Sequence, residues 1–235
     1  MLQTLRNFAA TLAVAAMAFV AAPSADARPL DDIISSGTLR VGVNPTLPPL
    51  ALYDDKNEIA GFDVDFAQEI ADMLGVELEI VPVGSPDRIP FVAAGTIDFV
   101  MGAMTRNPTR AKVIDFTTPV HTEVFGVLTT NDKPFTDWKD LNSSDVTMIQ
   151  VRGTTPLKFI EENLPDVEVT LLDNYPDVIR ALAQGRGDAM LDVVDFVGEH
   201  MNKHDVAWKV VETPVDIYYC ALGVAKNSTG LKDWL

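Results

Sequence analysis

The sequence predicts an α/β fold of two similar Rossmann-like lobes, each a mainly parallel sheet flanked by helices. Apolar strand runs alternate with stretches of helical period, and a helix–glycine–strand joint recurs in the two halves. Two extended runs stand where the chain could cross between the halves.

The elements follow in order. Arg6 precedes an apolar run that ends in Ala25-Asp26-Ala27, the pattern of a cleaved export signal. The run is Ala-rich, shorter than the ~20 residues of a membrane span and followed by Pro23, which disfavours an anchor. Residues 1–27 are therefore expected to be removed, leaving an exported chain that begins Arg28-Pro29-Leu30 in an aqueous compartment. No cysteine lies near the cleavage point to carry a lipid. Residues 38–43 read as a buried strand, followed by the turn Asn44-Pro45-Thr46-Leu47-Pro48-Pro49. A hairpin-like stretch at 51–61 leads to a helix in which Phe66, Ile70, Met73 and Leu74 share one face and Gly75 is the stop. A strand at 76–83, a helix at 87–94 and an apolar strand at 97–104 complete the first half.

The second half repeats the alternation with strands at 146–151 and 167–172 and helices at 156–163 and 176–184. Ala93-Ala94-Gly95-Thr96-Ile97-Asp98 and Ala183-Gln184-Gly185-Arg186-Gly187-Asp188 place the same glycine stop and aspartate before a strand. Crossings are expected at 124–131 and near 214–219, followed by a late strand at 218–226. One lobe then comprises residues 28–127 and 218–235, and the other 128–217.

Hydrophobic residues are 47% and charged residues 22% of the chain, so a packed core is expected rather than disorder. The net charge of −16, unchanged by loss of the leader, disfavours nucleic acid as a partner. Cys220 is the only cysteine, which excludes an intrachain disulfide, and its apolar flanks predict a buried thiol. His200 and His204 are four apart beside Glu199 and Asp205, but no third ligand can be placed, so neither a metal site nor a cofactor is expected.

In sequence order the chain carries Leu39-Arg40-Val41-Gly42-Val43, Gly61-Phe62-Asp63-Val64-Asp65, Arg88-Ile89-Pro90, Asn107-Pro108-Thr109-Arg110, Asp115-Phe116-Thr117 and Arg152-Gly153-Thr154-Thr155. Together these resemble solute-binding protein family 3, the bacterial periplasmic proteins that bind polar amino acids for ABC importers. The resemblance implies the type 2 periplasmic binding protein fold, in which two lobes joined by a two-strand hinge close over a ligand. It also implies an ABC-transporter permease as partner. Against the family's pattern, the helix opening at Leu231 stops early.

A free amino acid presents a carboxylate and an ammonium, so its site needs fixed donors and acceptors. Arg110, near a helix start signalled by Asn107 and Pro108, matches the family position that grips the carboxylate, and a guanidinium suits that role through two parallel hydrogen bonds. Thr105 adds a hydroxyl by the same analogy. Gly153, Thr154 and Thr155 precede Pro156, which predicts a helix N-terminus whose free amides face the cleft. The resemblance also puts Gly102 and Val151 among the ligand-facing positions. Asn44 and Val193 stand where relatives often have aspartate, so the ammonium side departs from the pattern. Asp192 could substitute, although alternation along a strand turns it away from the cleft. Leu47 and Ser85 replace larger packing groups, so weak stacking is expected. Arg88, Arg106 and Arg152 tilt the expectation toward an acidic or neutral polar ligand. Alternatives are a dehydratase acting on cyclohexadienyl carboxylates, which would need a general acid that the sequence does not reveal, and a ligand-sensing module.

Overall fold

A computed structural model of the chain describes residues 27–235. The expected leader, residues 1–27, lies outside the described residues except for Ala27. Twenty-nine residues into the chain, α1 (Leu30–Ser36) ends at Gly37, whose φ of 70° provides the left-handed turn into β1 (Thr38–Val43). β2 (Thr46–Leu47), β3 (Ala51–Tyr53) and β4 (Ile59–Ala60) form a small antiparallel sheet. α2 (Phe62–Leu74) begins after Gly61, where a Cβ would sit 2.6 Å from the Leu50 carbonyl oxygen, and stops at Gly75 as expected. β5 (Glu77–Pro82), α3 (Arg88–Ala93) and β6 (Phe99–Val100) follow.

β6 is far shorter than the strand expected at 97–104. Gly102 at φ 76° and Ala103 at φ 54° turn the backbone into left-handed space, which ends the strand directly at the cleft. β7 (Ile114–Thr130) then follows, 17 residues long. β8 (Thr147–Val151), α4 (Thr155–Asn163), β9 (Glu168–Leu172), α5 (Tyr175–Ala183) and β10 (Ala189–Asp192) build the second lobe. α6 (Gly198–Met201), the long β11 (Trp208–Ala225) and α7 (Thr229–Trp234) complete the chain.

The sheet order is β5-β1-β6-β11-β7-β10-β8-β9. β1 pairs in parallel with β5 and β6, and β8 pairs in parallel with β9 and β10. The antiparallel pair β7–β11 belongs to both halves and joins them. Its register shifts between Val211 and Asp216, where β7 has reached Phe125 and Val127. The lobe boundaries read from the sequence, at 127/128 and 217/218, fall inside these two strands. Each lobe buries apolar clusters against its part of the sheet; Leu39, Val41, Ile70 and Phe99 share one, and Val127, Met148, Ile160 and Leu191 another.

The repeated joint is structural. Asp98 donates its amide to the Arg40 carbonyl at 2.8 Å and accepts from the Arg40 amide at 2.7 Å. Asp188 does the same with Thr147, at 2.7 Å in both directions. In each lobe the aspartate after the glycine stop locks the start of the lobe's first strand.

Candidate functional site

The two lobes meet along a cleft that is shut in this structure. Gly153, at φ 77°, packs so tightly on the first lobe that a Cβ would lie 2.8 Å from Pro86 Cα. Leu47 and Leu50, from the first lobe, are buried with Leu128, Ile149, Tyr175 and Val178 of the second. His200 Nε2 is 2.9 Å from the Thr46 carbonyl oxygen.

Between the lobes lies a cavity of ≈ 20 Å³, lined among others by Arg88, Arg110, Glu123, Thr155, Tyr175 and Asp192. Arg110 is buried in a short 3-10 turn, Arg110–Lys112, rather than in the first turn of an α-helix, and its amide bonds to Asn107 Oδ1 at 2.9 Å. Its Nη1 donates to the Thr105 carbonyl in its own lobe and its Nη2 to the Gly153 carbonyl across the cleft, both at 2.9 Å. Burial, and next the neighbouring Arg88, pull its pKa down to about 9, which leaves it charged at neutral pH. Asp115, five residues further on, accepts from Lys226 Nζ at 2.7 Å.

Arg88 is buried, and its Nε and Nη1 donate to the Ser85 and Gly102 carbonyls. Arg106 and Arg152 are exposed, and Arg152 pairs with Asp173 at 3.1 Å, so of the three additional arginines only Arg88 lines the cavity.

Asp192 corrects the strand-alternation argument, because its side chain faces the cleft. All four residues of β10 are buried, so both faces of this strand are covered and its end opens into the cavity. The carboxyl accepts from the Val193 amide at 2.8 Å and from Tyr175 Oη and Gln150 Nε2 at 3.2 Å. Burial pushes its pKa up to about 7, with Glu123 adding to the rise. Tyr175, itself raised by burial and then by Asp192, stays neutral and donates.

Thr154 and Thr155 open α4 and line the cavity, and Asn107 Nδ2 reaches Thr155 Oγ1 at 3.4 Å. Thr154 does not cap its helix; its hydroxyl donates to the Val151 carbonyl at 2.8 Å. Pro156 is the second helical residue, not the first. Gly102 lines the cavity and donates its amide to Asp63 at 2.8 Å; burial raises Asp63 to about 6.

Asn44, Ser85, Leu47 and Val151 are not among the residues that line this cavity. Asn44 donates to Ser85 Oγ at 3.1 Å and accepts from the Thr46 amide and hydroxyl, which holds the turn after β1. Val151 is fully buried in the same lobe-spanning cluster as Leu47. The sequence reading missed Glu123, Tyr175 and Phe125 as cavity residues. A charged residue inside the extended run Val120-His121-Thr122-Glu123-Val124-Phe125 was the available signal for Glu123.

The arrangement offers two guanidinium groups and two carboxyl groups in one water-poor cleft, which matches the two charges of a zwitterion. The model of the bacterial extracellular solute-binding proteins, family 3, matches residues 39–235. A glutamine-binding protein of Geobacillus stearothermophilus is 31% identical over 87% of this chain and 79% of its own length. Among solved structures, an ancestral amino acid-binding protein described as a precursor of cyclohexadienyl dehydratase superposes with a TM-score of 0.80 at 30% identity, covering 87% of this chain and 89% of that one. The solute receptor for L-cysteine of Neisseria gonorrhoeae gives a TM-score of 0.80 at 28% identity over 88% and 85%.

Proposed function

Since this chain belongs to the bacterial extracellular solute-binding proteins, family 3, we propose that it is exported, captures a free amino acid or a similar small carboxylate between its lobes, and presents it to an ABC-transporter permease. The observation that carries the reading is the pairing of Arg110 with Asp192 in one buried cavity that both lobes build. The ligand carboxylate takes the place of the Gly153 carbonyl on Arg110 Nη2 and meets the amide end of α4. Its ammonium sits by Asp192 and Glu123. A closed cavity of ≈ 20 Å³ has room for about one water, so the lobes must part to admit an amino acid.

With two cations balanced by two carboxyls, a net-neutral zwitterion suits the cavity without further charge, and Arg88 allows an additional acidic group. A dehydratase would need a proton donor at a reacting carbon. The cavity's carboxyls are accounted for by ammonium binding, and the family places the chain among binding proteins.

The test is a thermal-shift screen of amino acids and small organic acids on the mature chain, followed by calorimetry. A ligand at ~100 times its dissociation constant should stabilise the fold by about 2.7 kcal/mol. Arg110→Ala should lose about 2–5 kcal/mol, or roughly 30-fold to several thousand-fold in affinity. Arg110→Lys, which keeps the charge without the fork, should lose less. If the folded Arg110→Ala variant binds within about threefold of the parent, Arg110 serves the lobe contact alone.

A further inference from the structure

Beside the cavity, the β7–β11 pair brings Glu123, one of the two carboxyls assigned to the ligand ammonium, together with two groups that amino-acid binding leaves unexplained. In its register Cys220 lies opposite His121. Glu123 is two residues further along β7, on the same face as His121. The His121 nitrogen, a Glu123 carboxylate oxygen and Cys220 Sγ all lie within 4.8 Å of one another. Cys220 and Glu123 are 1% and 4% exposed.

The Cys220 thiol is hydrogen-bonded to Glu123, but that bond satisfies the cluster only in part. His121 Nε2 and Glu123 Oε1 are both buried and without a hydrogen-bond partner, and at 3.7 Å they stand too far apart to bond. A folded chain seldom leaves two such atoms orphaned side by side, and an ion that both could ligate is one resolution. Next to them is a second cavity, of ≈ 10 Å³, whose lining includes His121, Cys220, Asp63, Met101 and Met104. That is the room of about one atom.

We propose that His121, Glu123 and Cys220 form a binding site for one divalent transition-metal ion of the Zn²⁺ class. Nitrogen, carboxylate oxygen and thiolate are the donors Zn²⁺ takes, and three protein ligands leave a fourth position open. Tetrahedral zinc sites hold their donors roughly 3.3–3.8 Å apart, so the groups need only a small inward movement. Burial pushes the Cys220 thiol up, so it carries its proton until the ion arrives. The binding step is then Cys–SH plus M²⁺ giving Cys–S⁻–M²⁺ plus H⁺, the proton passing to solvent with no change of oxidation state. The site spans both connecting strands, and Glu123 also lines the ligand cavity, so an ion here would sit at the joint between the lobes. Among the described residues, His200 and His204 do not converge with a third possible ligand.

The experiment saturates the reduced mature chain with Co²⁺ and reads the near-ultraviolet thiolate-to-cobalt charge-transfer absorption. Affinities for Co²⁺ and Zn²⁺ come from competition with a chelator. The parent should bind one ion per chain and show the absorption. Cys220→Ala should abolish it, and His121→Ala, whose side chain is one-third exposed and so easily replaced, should bind at least tenfold more weakly. A cooperative melt certifies each variant as folded. The proposal is overturned by a folded parent that shows no thiolate absorption at saturation, or by a folded His121→Ala that binds within threefold of the parent. Amino-acid binding is measured separately with chelator present, so loss of either reading leaves the other standing.

Discussion

At the scale of single residues, Asp192 makes the sharpest prediction. Burial is the first cause of its pKa of about 7 and Glu123 adds to the rise, while the Val193 amide, Tyr175 and Arg88 hold it down. A ligand ammonium favours the carboxylate, so the pKa falls when ligand binds. Above pH 7 Asp192 is ionised in both states and affinity should not vary with pH. Below pH 7 the free protein holds a proton that the complex must release, so affinity should fall by up to about tenfold per pH unit. Calorimetry from pH 5 to 8 reads this directly, and Asp192→Asn should flatten the profile while weakening binding at pH 8. A parent profile that is already flat would remove Asp192 from the ammonium site. How much of the site was legible divides along the same line. Arg110 and Thr155 stand in motifs whose order a sequence displays, and Thr105 lies five residues before Arg110. The orientation of Asp192 depends on β10 being buried on both faces, and the placement of Glu123 on the register of β7 against β11, which no local pattern encodes.

At the scale of elements, the alternation of strand and helix was readable because each helix has its stop and each strand its apolar run. β1 coincides with the stretch read from sequence, and α2 ends at the expected Gly75. The strand at 97–104 was overread because apolar content says nothing of φ, and Ala103 adopts a left-handed conformation that only its surroundings impose. The repeated Gly-to-Asp joint carries the same double hydrogen bond in both lobes. Its two copies differ in burial. The Asp98 side chain is fully buried and is shared by Arg28 and Arg40, whereas that of Asp188 is 21% exposed and paired with Lys133. Asp188→Ala should cost about 1.5–3 kcal/mol, as expected for charge-assisted bonds. Asp98→Ala should cost more, since it leaves two partly buried guanidinium groups without their anion. Urea melts of both variants rank them, and an equal or larger loss at Asp188 would contradict this account of the joint.

At the scale of the whole molecule, the proposed function needs lobes that part and shut, and Leu47 tests that need. Leu47 belongs to the first lobe, but several of the residues packed with it, including Leu128, Ile149 and Tyr175, belong to the second. Read as a small replacement for a ligand-stacking group, it is instead part of the apolar contact that holds the cleft shut. Truncating it should therefore act on closure rather than on either lobe's own stability. Leu47→Ala typically removes about 2–5 kcal/mol when a leucine is fully buried, and here that loss falls mainly on the shut state. The equilibrium constant for shutting drops by the same factor, and ligand affinity drops with the shut population, because only closed lobes bring Arg110, Thr155 and Asp192 together. The expected weakening is more than about threefold, and up to about 30-fold for a loss of about 2 kcal/mol, with Arg110 and Asp192 untouched. Small-angle scattering should show a larger radius of gyration for ligand-free Leu47→Ala than for the ligand-free parent, and the two should converge when saturated with ligand. Equal radii without ligand, together with affinities within threefold, would mean that closure is driven by the polar contacts of Arg110 and Gly153 and that the apolar seam is incidental.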